Sequence, residues 1–195
     1  MAIIKHGNNA LANVTAFPSA VSTGKPVLIS TSTASSSASI EFTSGIDSTY
    51  DIYKFEFINI HPATNGTNFN FNLSTDSGSN YNVTKTTTHF NAQQNEAGTS
   101  SGIFYDTAGD LAQSTTDQPL SRGLGNDNDQ CVSGTLHIFN PASTTFVKHF
   151  IFTLNHYNNS DLTVNNFIAG YGNTTSAVDA IKFVMSSGNI DAGTI

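Results

Sequence analysis

The stretch of sequence that decides the fold runs from Tyr50 to Ile60 and reads YDIYKFEFINI. Aromatic and β-branched residues dominate it, and Tyr53, Phe55 and Phe57 recur at every second position. Because successive side chains of a β-strand point to opposite faces of the sheet, this spacing places the three rings on one face. The stretch therefore predicts a long strand whose aromatic face is buried.

The chain downstream of this stretch carries the same kind of pattern. Strict alternation of Asn with Phe or Leu from Asn68 to Ser74 predicts a half-buried strand with one wet face. The Thr-rich run from Tyr81 to Phe90 predicts an extended segment near a sheet edge. Polar turns such as Asn140–Ser143 separate the later strands. Those strands are predicted over residues 132–139, 145–157, 162–171 and 177–185, with Phe146, Phe150, Phe152 and Leu154 on one side of the second.

The strand count and spacing predict the architecture. About eight short strands with polar connections lie between residues 41 and 195, and no segment shows sustained helical spacing of apolar residues. A repeat of fixed period, as in a propeller or a solenoid, is lacking. This pattern predicts an all-β domain over residues 41–195, an antiparallel β-sandwich, with a jelly roll of about eight strands favoured.

Residues 1–40 have a different character. Short apolar islands alternate with small polar residues, and the segment ends in a Ser- and Thr-rich run from Ser30 to Ser39. Such a segment has too little apolar surface to offset its own ordering entropy, so it predicts an extended N-terminal arm or linker that is mobile alone. The island Val27–Ile29 could equally be the first strand of the domain. The arm is expected to order against a partner through four interface anchors, Ile3, Ile4, Val14 and Phe17.

Composition excludes several classes of function. Ser, Thr and Asn account for 70 of the 195 residues, and only 11% of residues are charged, about half the ~25% of average domains. Seven basic residues against fourteen acidic ones predict no nucleic-acid partner, and no apolar run is long enough to predict a membrane span. The first nine residues lack the continuous apolar stretch of a secretory leader. One cysteine cannot close an internal disulfide, which favours synthesis in a reducing compartment.

No residue set predicts catalysis, so we expect no enzyme, no catalytic residue and no cofactor. The six histidines lie in no known hydrolase or zinc motif, and His137, His149 and His156 fall in predicted strands, where a hydrogen-bonded imidazole is expected. Glu41 and Glu56 are interpreted as residues of solvated strand faces rather than as an acid pair.

The densest group of oxygen ligands is the loop from Gly125 to Gln130, which contains Asp127 and Asp129. It could hold Ca²⁺, but it fails the EF-hand pattern because Ile138 stands where that pattern needs Glu. A polar turn is therefore favoured and no metal site is predicted. Cys131, which follows, is interpreted as a small buried apolar residue.

Four segments carry a resemblance to a known family. They are Ser44–Tyr50, Phe57–Thr64, Leu136–Thr145 and Ser187–Ile195, and over residues 21–195 the chain resembles virion structural proteins of tailed bacteriophages from aquatic environments. The resemblance implies a β-sandwich carried on the particle, on the head surface or in the tail apparatus, with no catalytic residues attached to it. In that family the final Gly-Thr-Ile runs on into a short strand. A strand beginning at Thr194 would here be too short to pair, so we expect a tail or a sequence clipped before the last strand.

Two functions follow as hypotheses. The first is a capsid decoration or cement protein, made in the host cytoplasm and bound to the surface of the virion by its arm, with the major capsid protein or other virion proteins as partners. Such proteins are expected to form homo-oligomers, with a trimer favoured. The alternative is a tail-fibre or receptor-binding tip that holds a host glycan on aromatic and amide side chains. A carbohydrate-active enzyme has only fold analogy in its favour.

Overall fold

The computed structural model describes residues 25–195. This part of the chain contains eleven strands: β1 (Ser39–Phe42), β2 (Ile52–Pro62), β3 (Thr67–Ser74), β4 (Lys85–Asn95), β5 (Ser101–Tyr105), β6 (Gln118–Leu124), β7 (Val132–Phe139), β8 (Lys148–Tyr157), β9 (Leu162–Gly172), β10 (Ala180–Met185) and β11 (Ile190–Thr194). It contains no helix, and hence none that is long and apolar enough to cross a membrane. The predicted all-β class is confirmed.

The strands form two antiparallel sheets that face each other. One sheet has four strands in the order β1-β10-β3-β6, and the other has seven in the order β11-β2-β7-β8-β9-β4-β5. Without β11, and with a single strand between β2 and β4, this order is that of an eight-stranded jelly roll. The meander β7-β8-β9 takes the place of that strand. In an antiparallel meander of three strands, the last strand runs in the same direction as the first. The meander can therefore replace a single strand without changing the order of the other strands.

The prediction of about eight strands was too low because four strands lack a clear pattern. β1 and β11 have four and five residues, and β5 has five. β6 has seven but contains Pro119 and Gly123, which are both depleted in strands. Each of these four strands lies at or next to a sheet edge or pairs irregularly. Side-chain alternation therefore specifies them weakly.

Aromatic rings from both sheets fill the core between them. Phe183 of β10 stands at the centre, with its ring centroid 5.1 Å from that of Phe57, 5.7 Å from that of Phe55 and 5.9 Å from that of Phe69. Alongside this group, the ring of Phe71 lies 4.7 Å from that of Phe152. Edge-on and tilted contacts of this kind add to the energy of burying the rings. Tyr53, Phe55 and Phe57 of the seven-stranded sheet are all buried in this core. The predicted aromatic face of the Tyr50–Ile60 strand is therefore confirmed.

One predicted register is confirmed except at its start. Phe150, Phe152 and Leu154 of β8 are buried side by side, but Phe146 is 70% exposed and precedes the strand. The turn after Asn140 extends further than predicted, because the Ser143 hydroxyl accepts hydrogen bonds from the backbone amides of residues 145 and 146. Lys148 therefore occupies the first inward-facing position of β8. Its ammonium group donates to the carbonyl oxygens of Phe146 and Thr174.

The predicted wet face of the Asn68–Ser74 strand is wrong, because both faces of β3 are covered. Asn70, Asn72 and Ser74 are buried although they lie on the polar side of the strand. The loop between β5 and β6 passes over this side, and Asn72 Nδ2 donates to the Thr115 carbonyl and to the carboxylate of Asp117. At Asn72, amide hydrogen bonding thus replaces the solvent that the alternation implied, whereas the buried Oδ1 of Asn70 has no hydrogen-bond partner within residues 25–195.

Residues 32–37 continue the seven-stranded sheet beyond β11. Ser32 and Ile195 exchange two backbone hydrogen bonds of 2.9 Å, and Ser37 and Ile190 exchange two of 2.8 Å. Backbone pairing needs no apolar side chains, so a Ser- and Thr-rich run can be ordered in this way. The predicted boundary at residue 40 is therefore wrong, since residues 32–40 belong to the sandwich. Val27–Ile29 forms no strand.

The last strand is also longer than predicted, since β11 begins at Ile190 rather than at Thr194. It pairs with β2 through two register shifts, opposite a bulge in which Asn59 has a φ of 50°. Gly193 fits this site because its φ is +114° and a Cβ there would lie 2.6 Å from the Asn59 carbonyl oxygen. The C-terminal segment is thus fixed between β2 and residues 32–37.

The aromatic core gives a first prediction. Replacing Phe183 by Ala leaves a cavity among three rings, so we expect a loss of about 3–5 kcal/mol in the free energy of unfolding. Phe146→Ala is the matched control, because it removes the same ring from an exposed site and should change stability by less than about 0.5 kcal/mol. Urea denaturation measures both. Equal losses for the two variants would contradict the assignment of the core.

Candidate functional site

The four predicted arm anchors, Ile3, Ile4, Val14 and Phe17, lie outside the described residues. The structure does describe the segment by which they join the sandwich, residues 25–31, which we call the stem. Val27, Leu28 and Ile29 are three consecutive apolar residues in the stem, and they are 61%, 82% and 47% exposed. Ile29 is held only at its tip, where its Cγ2 lies over Gly45. An exposed apolar run of this kind is typical of a segment that contacts something else.

An apolar groove of about 360 Å³ separates the stem from the sandwich. Its far wall comes from β1, β2 and the loop between them and includes Phe42, Ile46 and Ile58. Ile195 closes one end, next to the ladder that pairs residues 32–37 with β11. The stem and this groove together form a continuous apolar surface at the β11 edge of the larger sheet.

The two glutamates do not form a pair. Glu41 lies on the outer face of the four-stranded sheet and accepts hydrogen bonds from Ser39 and from the Tyr81 hydroxyl. Glu56 lies on the outer face of the other sheet and accepts a 2.6 Å bond from Lys54 Nζ. The two carboxylates therefore point away from opposite sides of the sandwich, as the interpretation of solvated strand faces requires.

The Gly125–Gln130 loop is a closed polar turn. The Gln130 backbone amide donates to the Asp127 carbonyl, and the Gln130 side-chain oxygen accepts from the Asp127 amide. Within residues 25–195 no three His, Cys, Asp or Glu side chains lie close enough together to hold a metal ion. Cys131, next in the chain, is half-buried rather than buried, and desolvation followed by the charge of Asp129 raises the pKa of its thiol.

The histidines divide between surface and interior. His149 is exposed on the outer face of β8, beside the ring of Tyr171, and His137 is half-buried on the neighbouring strand. His156 is fully buried, as expected of a hydrogen-bonded imidazole in a strand. His89 is equally buried, and its strand β4 lies next to the edge strand β5, in keeping with the prediction of a Thr-rich segment near a sheet edge.

The two buried imidazoles belong to one chain of hydrogen bonds. His89 Nε2 donates to Asn166 Oδ1 over 2.9 Å, and Asn166 Nδ2 donates to His156 Nδ1 over 2.9 Å. His156 Nε2 in turn donates to the Arg122 carbonyl over 3.1 Å. The Arg122 guanidinium pairs with Asp106 over 2.6 Å, and this carboxylate lies 3.9 Å from His89 Nδ1. We call these five residues, His89, Asp106, Arg122, His156 and Asn166, the polar network.

The electrostatics of the polar network follow from this geometry. Burial lowers the pKa of His156 to about 4, against the opposing effect of its bond to the Arg122 carbonyl. His156 is therefore neutral at pH 7. Desolvation acts to raise the pKa of Asp106, but the hydrogen bond and charge of Arg122 outweigh it, so the net shift is downward. The network contains a neutral imidazole and a compensated ion pair, and its groups are positioned by one another.

Sequence reasoning missed the polar network for an identifiable reason. His89, Asn166 and His156 come from β4, β9 and β8, which are adjacent in the sheet but far apart in the chain. The only local signal was the alternation of Lys85, Thr87 and His89, three polar residues on what proved to be the inward face of β4. A polar inward face looks like an outward one until the sheet order is known.

Comparison of the chain with protein-family models, with curated proteins and with solved structures gave no match.

The buried His156 gives a prediction for pH dependence. Its folded pKa of about 4 lies below the ordinary 6.5, so its contribution to stability is fully present above pH 6.5 and is lost as the pH falls toward 4. We expect about 2–3 kcal/mol of stability to be lost between pH 7.5 and pH 4.5 through this residue. Urea denaturation at the two pH values measures the loss, and His156→Gln should reduce it by that amount.

His149→Gln is the matched control, because it removes an exposed imidazole from the same strand. It should leave the pH dependence unchanged. If His156→Gln loses as much stability on acidification as the wild type, His156 is not the group responsible.

Proposed function

We propose that this chain is a structural protein of a phage virion, a capsid decoration or cement protein that binds the head surface through its N-terminal segment. The observation that carries the proposal is the stem, an exposed apolar run that leaves the sandwich beside an apolar groove. Burying one such side chain stabilises a contact by about 1.5–3 kcal/mol. A segment that exposes three consecutive apolar side chains is suited to contact with another protein.

The predicted anchors Ile3, Ile4, Val14 and Phe17 extend this surface along the chain. They precede the start of the stem by eight to twenty-two residues, which is enough length to reach across a neighbouring subunit at about 3.3 Å per extended residue. The partner is the major capsid protein or another virion protein. Synthesis takes place in the host cytoplasm, in keeping with the single cysteine.

The outer face of the seven-stranded sheet supports a symmetric homo-oligomer. Phe90, Ile103, Tyr105 and Ile151 are exposed on it, and the rings of Phe90 and Phe167 stack at 4.9 Å. Two of these residues belong to β5, whose outer edge pairs with no other described strand. A contact with a second copy through this outer face would cover the exposed apolar residues and leave the inward-facing cleft at β5 open. We propose a trimer, the assembly that the resemblance favours.

A receptor-binding tip that holds host glycans is the second candidate. It is favoured by a specific feature, a cleft lined by amide and aromatic side chains at the β5 edge. The two functions require different positions on the particle. Immunogold labelling of purified virions with antibodies raised against the chain separates them, since labelled heads support the first and labelled tail tips the second. Absence of the chain from virions contradicts both.

The attachment proposal predicts the effect of removing the N-terminal segment. Deleting residues 1–30 takes away the anchors and most of the stem but leaves Ser32 and the pairing of residues 32–37 with β11 intact. The truncated chain should keep its circular dichroism spectrum and melt within a few degrees of the full chain, yet fail to co-sediment with heads that lack the protein. Full occupancy by the truncated chain would refute the proposal.

Point variants test the stem itself. Replacing Val27 and Leu28 together by Ser removes two exposed apolar side chains, so attachment should weaken by at least about tenfold. The control is Phe146→Ser, which removes an apolar side chain outside the stem whose exposure is similar to that of Val27 and Leu28. The variants are compared by their occupancy on heads over a range of protein concentrations. Equal weakening of attachment in the stem variant and in the control would show that the stem is not the attachment surface.

A further inference from the structure

We propose that the cleft between β5 and β6 binds a neutral saccharide unit. This site lies at the opposite edge of the larger sheet from the stem, and the proposal does not depend on where on a particle the protein is attached. The cleft has a volume of about 270 Å³, just under the ~300 Å³ at which sites for drug-sized ligands begin. A cleft of this volume suits a small ligand such as a single sugar ring.

The cleft exists because the two sheets differ in width. β6 is the edge of the four-stranded sheet, and it packs over β8 and β9. The inward faces of β4 and β5 extend beyond it. The loop after β5 covers the first half of β4, where the Leu111 amide donates to the Thr87 hydroxyl and the Asp106 amide donates to the His89 carbonyl. The second half of β4 is left open toward solvent.

The floor of the cleft consists of two cross-strand rows. In one row Phe104, Asn91 and Asn166 lie side by side on β5, β4 and β9. In the next row Gln93 lies beside Val164, which is paired with His156. Asp106 and Arg122 form a wall, and Asn158 lies at the rim. The polar network thus supports the cleft from beneath and fixes the orientation of its inner side chains.

Phe104 supplies an aromatic surface. Its ring extends back along β5 until its outer atoms lie over Gly102, where an added Cβ would approach Cζ to 2.5 Å. The ring is 48% exposed. Because Gly102 has no side chain, the ring can lie close against its own strand, and its exposed part lines the cleft. The apolar face of a pyranose ring can stack on such a surface.

Amide groups supply the hydrogen bonds. The Oδ1 atom of Asn91 is buried, lines the cleft and has no hydrogen-bond partner among residues 25–195. A buried acceptor without a partner is costly, and a ligand hydroxyl would satisfy it. Gln93 adds a second amide in the adjacent row, and Arg122 has further N–H donors besides the one that binds Asp106.

The charge balance favours a neutral ligand over an anionic one. The single cation of the cleft, Arg122, is already paired with Asp106 over 2.6 Å, and His156 is neutral at pH 7. An acidic sugar would therefore meet no uncompensated positive charge and would lie close to a carboxylate. Hydroxyl groups, which donate and accept, match the alternating amides and the ion pair better.

A glycan array probed with the full chain tests the proposal. The array carries neutral glycans that end in hexoses or N-acetylhexosamines, together with sialylated and sulfated ones. We expect reproducible binding to a subset of the neutral glycans. Isothermal titration with the best neutral oligosaccharide then gives affinities, and Phe104→Leu and Asn91→Ala should each weaken binding by about tenfold or more.

Two variants guard against loss of folding as the explanation. Phe104→Tyr keeps the aromatic face and should bind within about threefold of the wild type, whereas Phe104→Leu keeps only apolar bulk. Phe146→Ser changes a ring that is 70% exposed and lies outside both the cleft and the surface proposed for contact between copies, so it should have no effect. Thermal melts establish that each variant is folded.

The proposal is overturned by any of three results. These are no binding to any neutral glycan at millimolar concentration, a preference for sialylated or sulfated glycans, and neutral binding that Phe104→Leu and Asn91→Ala leave intact. None of them affects the head-attachment assay. A failure here is thus distinguishable from a failure of the proposed attachment.

Discussion

The mismatch in width between the two sheets is the constraint on which the rest of the structure depends. Four strands cannot cover the inner face of seven, so the larger sheet has a covered part and an overhanging part. Where β10 and β3 face β2, β7 and β8, the interior is dry, and rings such as Phe57, Phe69 and Phe183 pack against one another. Where β4 and β5 reach past β6, no apolar layer is available to oppose them. The inward side chains of β4 there are Thr, His, Asn and Gln.

A polar interior of this kind is stable only if its groups bond to one another. The polar network largely meets this condition by linking three strands of one sheet, the edge strand of the other and the loop after β5 through five side chains. Among these side chains, His89 Nδ1 has no hydrogen-bond partner within residues 25–195 and lies 3.9 Å from the Asp106 carboxylate. The cost of the network is visible in His156, whose imidazole is held neutral, with both ring nitrogens committed to partners. Where the network ends, at Asn91, a buried acceptor is left open. The cleft lies at the boundary between the part of the overhang whose polar side chains are hydrogen-bonded to one another and the part where the Asn91 acceptor has no partner.

The sequence predicted those parts of the fold in which burial and periodicity coincide. The rings at 53, 55 and 57 and those at 150 and 152 were placed on the correct faces because a central strand that buries one face has a strict register. Prediction failed where pairing rather than packing orders the chain. Residues 32–37 and β11 are held by backbone bonds that carry no side-chain signature, and the Asn residues of β3 are buried by a loop distant in sequence. The cleft could not be predicted from the sequence for the same reason. Its rows of side chains form only when β5, β4 and β9 are aligned in the sheet.

The two surfaces with proposed functions lie at opposite ends of one sheet. The stem and its groove adjoin β11, whereas the cleft opens at β5, and five strands stand between these two. At about 4.8 Å for each of the six strand intervals, the separation along the sheet is roughly 29 Å. A chain attached to a particle by its stem therefore holds the cleft at its far edge, away from the attachment point. A low surface charge suits this arrangement, because attachment by an apolar segment and recognition of a neutral sugar both proceed without the desolvation of ionised groups.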